Sequence, residues 1–151
     1  MFVIELRVHR RLIDSLYVEA MLLADEARTY FDDGGRQERE ALDPLSRVAF
    51  SCEALKVTTR LMHVIAWLLT QRAIDAGEMS QRDALDPSRR LGAAPVTDAA
   101  AFAAMPEQAQ ALIGASVELF RRTAMLDDAQ VESLPALSPA RSMLERLEVA
   151  F

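Results

Sequence analysis

Between Pro44 and Gly77 the sequence contains no glycine and no proline, and this stretch constrains the fold more than any other. It opens with Leu42-Asp43-Pro44-Leu45. Asp43 can cap a helix by accepting a backbone N–H, and proline suits the first helical position, where its missing N–H would have no partner. It closes with Ala73-Ile74-Asp75-Ala76-Gly77, placing glycine where helices turn off in the left-handed conformation. Some 33 residues rising about 1.5 Å each make a rod of roughly 50 Å. Burying such a rod takes other helices running alongside it. Apolar or small residues fall at Leu45, Val48, Cys52, Leu55, Thr59, Met62, Ala66, Leu69, Ala73 and Ala76. Their steps alternate three and four, the heptad spacing of a packed helix seam.

The middle of this helix, Leu61 to Leu69, is apolar nearly all the way round. One covered face is not enough for such a run. It predicts a helix that is central in its own bundle and shared with a second subunit. It is too short to span a membrane, which takes about 20 apolar residues, and Arg60 and Gln71-Arg72 bound it. The 51% hydrophobic content favours a helical oligomer, and a net charge of −6 argues against nucleic-acid binding, which depends on Lys and Arg. The single Cys52 rules out an internal disulfide framework, and its place on the seam reads as a buried small apolar residue. No signal peptide is expected, because Glu5, Arg7, His9, Arg10 and Arg11 crowd the apolar start. The default compartment is a reducing cytoplasm.

Two further helices flank the central one. From about residue 12 to 31, Ile13, Leu16, Ala20, Leu23, Ala27 and Tyr30 repeat the three-four spacing; from about 106 to 127, Ala109, Leu112, Ser116, Leu119, Thr123 and Leu126 do so. Asp32-Asp33-Gly34-Gly35 ends the first of these, since glycine tolerates positive φ. Arg36 to Glu40 is either a charged loop or a helical lead-in. Residues 1–8 read as a short strand, an extended arm or a frayed first turn. Thr97-Asp98 offers a cap for a short helix. Asp127-Asp128 weakens the third helix by placing negative charge at the negative end of its dipole. The expected fold is all-α: an antiparallel three-helix bundle over residues 1–130 with a long central helix, dimeric. Residues 131–151 form a tail, flexible or a short amphipathic helix with Met143, Leu144, Leu147 and Phe151 on one side.

Chemistry is sparse. The positions three and four residues from His63 are Thr59, Arg60, Ala66 and Trp67, none of which completes a metal site. No glycine-rich phosphate loop is present, and Lys56 is the only lysine. Met62, His63 and Trp67 read as dimer or core anchors, and Arg60 and Arg72 as rim charges. No catalytic residue, cofactor or metal is expected. The residues alone stop at an acidic helical bundle that works by binding proteins.

The segments Gly35-Arg36-Gln37-Glu38, Leu55-Lys56-Val57-Thr58-Thr59-Arg60-Leu61-Met62, Ala66-Trp67-Leu68-Leu69-Thr70-Gln71-Arg72-Ala73 and Gly77-Glu78-Met79-Ser80 carry a resemblance. Together they resemble the RcdA family (regulator of CtrA degradation) of alphaproteobacteria. Leu16-Tyr17, Met21, Leu112-Ile113 and Arg121-Arg122 are similar too. The resemblance implies a dimerising three-helix bundle that acts as a non-enzymatic adaptor, helping the ClpXP protease receive cell-cycle substrates. It implies a CpdR-like response regulator that primes the protease and, in some members, a cyclic-di-GMP effector protein. Partner contacts are expected at Arg36, Gln37 and Glu38 at one end of the central helix, at Glu78 and Met79 at the other, and at Leu144, Leu147 and Phe151 in the tail. Ordinary capping and solvation is the alternative for each. The alternative function is a helical dimerisation module, or a histidine phosphotransfer-like signalling module using His63, without a protease role.

Overall fold

The computed structural model describes residues 2–133 and 139–150, and among them every regular element is helical. Helix α1 spans Phe2–Thr29, α2 Arg36–Glu40, α3 Pro44–Asp75, α4 Ala99–Ala103, α5 Glu107–Ser133 and α6 Pro139–Ala150. The three long helices, α1, α3 and α5, pack side by side. Asp43 caps α3 by accepting the Ser46 N–H at 3.4 Å, with Pro44 at the first position. Past its end, Gly77 takes φ +76°, which L side chains rarely adopt.

Helix α1 begins at Phe2, so the N-terminal segment is neither a strand nor an extended arm. One turn of π-helix, Tyr30–Gly34, then leads into α2. Gly35 is needed here for space rather than for positive φ: its φ is −93°, and a Cβ would sit 2.8 Å from Cζ of Tyr30. Tyr30, Phe31 and Phe50 close this end of the bundle as an aromatic trio, with centroids 5.1 to 6.0 Å apart.

Helix α1 runs antiparallel to both of its neighbours. Arg10 near its start meets Asp75 at the end of α3, and Glu19 pairs with Arg122 of α5. Helices α3 and α5, by contrast, run parallel: Arg60 bonds Ser116, Trp67 bonds Asp127 and Gln130 bonds Gln71. The physical reason is the long crossover of residues 76–106. It carries the chain back along α3 to the end where α5 begins beside Glu26. A short connection would have forced the up-and-down alternation expected from the sequence.

Candidate interaction surfaces

The crossover is held by two polar clamps. In the first, the Arg60 side chain is buried within the bundle. It donates to the Pro95 carbonyl at 3.2 Å, to Ser116 Oγ at 3.3 Å and to Thr97 Oγ1 at 2.6 Å. The Thr97 hydroxyl in turn donates to Glu53 Oε2 at 2.6 Å. Lys56 bridges Glu53 Oε1 and the Val96 carbonyl at 3.1 and 3.0 Å. Burial pulls the Arg60 guanidinium below its usual range, and the nearby Glu53 opposes that pull. In the second clamp, Asp127 accepts from Trp67 Nε1 at 3.0 Å and from Arg90 Nη2 at 2.9 Å, which holds Arg90 above the usual guanidinium range. Arg90 also reaches Asp128 at 3.2 Å. These pairings offset the dipole penalty of two aspartates, and α5 continues through them to Ser133.

With the polar side of α3 turned inward, its leucine-rich side faces out. Leu45, Val48, Cys52, Leu55, Met62, Ala66 and Leu69 are all exposed, Leu55 by 68% and Met62 by 64%. This corrects the expectation that Cys52 is buried, and it places the heptad seam outside the core of the single chain. The core side of α3 carries Phe50, Val57, Leu61, Val64, Trp67 and Leu68. In α1 and α5 the two seams do coincide with the core: Ile13, Leu16, Ala20, Ala27, Ala109, Leu112, Ser116, Leu119 and Thr123 are buried. Beside the outward stripe, an apolar groove of about 610 Å³ runs between α1 and α3. Ala24, Phe31, Leu55, Met62 and Ile65 line it, with Arg28 and Arg39 also in its wall.

The residues singled out from the sequence distribute as follows. Trp67 is a core residue, Met62 lies on the outward stripe, and His63 is half-buried. The His63 Nδ1 is buried and makes no hydrogen bond among the described residues. Arg36, Gln37 and Glu38 are exposed on α2, but Glu38 accepts the Tyr30 hydroxyl. Burial and that carboxylate push the Tyr30 phenol well above its usual range. Glu78 is exposed and Met79 half-buried just past α3, at the opposite end from α2. Leu144 and Leu147 are exposed on α6, and Phe151 lies outside the described residues. Arg60 is not a rim charge. Sequence reasoning missed the Glu53–Thr97–Arg60 clamp, although Glu53 and Arg60 are seven residues apart and so share one face of α3. Two opposite charges on the face away from a leucine stripe were the available signal.

Among the described residues no group of three His, Cys, Asp or Glu could hold a metal ion, and no helix is long and apolar enough to cross a membrane. What the molecule offers is exposed apolar and polar surface on a latched helical frame. Residues 4–151 match the family described as "Protein of unknown function (DUF1465)". Among solved structures the chain is similar to RcdA from Caulobacter crescentus CB15, at 31% identity. The match covers 79% of this chain and 90% of that one, with a TM-score of 0.64. No curated protein matches. The chain belongs to the DUF1465 family and is an RcdA-like protein.

Proposed function

We propose that this protein is a non-enzymatic adaptor in regulated proteolysis that helps deliver cell-cycle regulatory substrates to the ClpXP protease. The observation that carries the reading is the 31% identity to RcdA across 79% of the chain. In this reading a CpdR-like response regulator primes the protease, substrates are held by protein–protein contacts, and a cyclic-di-GMP effector protein is a further partner. The setting is the cytoplasm. The polar groups at the two ends of α3, about 50 Å apart, let one adaptor hold two partners without interference.

The outward stripe of α3 is the self-association face in this proposal, because exposed apolar residues in an unbroken heptad pattern match a second helix. That stripe also favours the second reading, a helical dimerisation module with no protease role. A phosphotransfer role for His63 has less support, since the imidazole is half-buried between Met62 and Val64.

A purified system containing ClpXP, its response regulator and candidate substrates separates the readings. An adaptor accelerates the loss of a subset of substrates, saturably with its own concentration. A dimer that leaves every degradation rate unchanged contradicts the adaptor role and leaves the dimerisation module.

A further inference from the structure

Helix α1 overhangs the end of the bundle. Arg10 lies level with Asp75, the last residue of α3, so the first two turns of α1 extend about 12 Å beyond it. Those turns carry two uncovered apolar residues, Ile4 and Val8, exposed by 67% and 60%, beside Glu5, Arg7 and His9. Between the overhang, the end of α3, the crossover and the last turns of α5 lies an open cavity of about 400 Å³. Leu6, Ile74, Leu85, Leu126 and Ala129 supply the apolar part of its wall, and polar residues, Gln71 and Gln81 among them, the rest.

A second uncovered apolar surface begins a few residues away. Helix α5 ends at Ser133, one turn past the cavity residues Ala129 and Gln130. After the connector of residues 134–138, α6 presents Met143, Leu144 and Leu147 on one side, exposed by 67%, 60% and 49%. Twelve residues are too few for a helix to be stable in water without a surface to pack on. The connector spans at most about 20 Å, which keeps α6 at this end of the bundle.

We propose that α6 folds back onto its own bundle and fills the cavity between the overhang of α1 and the end of α5. The three apolar residues of α6 enter the cavity and cover Leu6, Leu126 and Ala129. The edges of the stripe match in charge. Arg146 and Glu148 flank it on opposite sides, while the cavity lining holds Glu5, Asp75 and His9, with Arg10 beside Asp75 at 3.9 Å. A tethered helix starts with a high effective concentration at its site, so a modest apolar contact is enough to hold it. The latch works whether or not the chain is an adaptor, and its opening would expose α6 to a partner.

The test is hydrogen exchange on the full chain. In the wild type, amides of residues 143–149 exchange at least tenfold more slowly than in Leu147→Asp. Ala129→Arg, at an exposed position on the cavity wall, removes that protection while α3 stays protected. Leu147→Asp, made on the exposed side of α6, reciprocally speeds exchange in residues 5–9. The proposal is overturned if Ala129→Arg leaves α6 exchange unchanged, or if α6 exchanges equally fast in the wild type and in Leu147→Asp. It is equally overturned if α6 protection disappears on dilution, which would make a second copy the occupant.

Discussion

The two sides of α3 invert the usual distribution. Facing the bundle are Glu53, Arg60 and Gln71, all buried, set among Phe50, Val57, Val64 and Leu68. Facing outward are Leu45, Val48, Leu55, Met62 and Leu69. A buried charge is tolerated only when its donors and acceptors are met, and here the crossover supplies Pro95, Val96 and Thr97 for that purpose. The inward side thus fixes a long connection that apolar packing alone would leave without register. The outward side does nothing for the single chain. Heptad spacing reports that a helix has a partner, and not whether that partner belongs to the same molecule.

Substitutions on the two sides should therefore behave differently. Arg60→Ala leaves Glu53 its bonds to Thr97 and Lys56 but removes the donors to the Pro95 carbonyl, Ser116 and Thr97 and opens a cavity, and should cost about 3–5 kcal/mol in urea unfolding. Replacing Glu53 and Arg60 together by methionine should recover most of that loss, since an apolar pair needs no partners. The neighbours Leu68 and Leu69 give the sharpest contrast. At a concentration where the chain is monomeric, Leu68→Ala, at a fully buried position, should destabilise by about 2–5 kcal/mol, and Leu69→Ala by no more than about 0.5 kcal/mol. Equal losses at the two positions would break the comparison. Trp67→Phe keeps most of the ring but removes the N–H donated to Asp127, for a loss of about 1–3 kcal/mol.

A further small effect is one of pH. The Tyr30 phenol titrates higher in the folded chain than its usual value near 10, so the folded state holds that proton more tightly. Its contribution is complete below about pH 10 and is lost as the pH rises from there toward the folded value. At about pH 10.5 the loss is under about 1 kcal/mol, and thermal melts of Tyr30→Phe should show a flatter decline than the wild type over that range.

Much of this fold was legible because local chemistry and global packing agree. Asp43-Pro44, Gly77 and Asp98 mark helix ends by rules that act within a few residues, and Asp98 indeed caps α4 by accepting the Ala101 N–H at 2.7 Å. The seams of α1 and α5 were legible because their three-four spacing falls on the side that is buried. On α3 two faces competed, and the purer heptad is the outward one. The core face was hidden by Glu53 and Arg60, whose burial depends on Thr97 almost forty residues away. The parallel course of α5 was hidden for a similar reason, since it depends on how the crossover docks. The extension of α5 past Asp127 depends on Arg90, which no local rule connects to it. The interaction residues were the least legible part. Exposed polar loops look alike in sequence, and even Glu38 turned out to be engaged by Tyr30.

In the proposal made above, α3 folds the chain with one side and binds a second copy with the other. Sedimentation equilibrium of the wild type and of the Leu55→Glu, Met62→Glu double variant tests it most directly. The expected result is a dimeric wild type and a monomeric variant whose urea midpoint, measured at a concentration where both are monomeric, is unchanged. A wild type that stays monomeric at the highest concentration, or a variant that still dimerises, would contradict it.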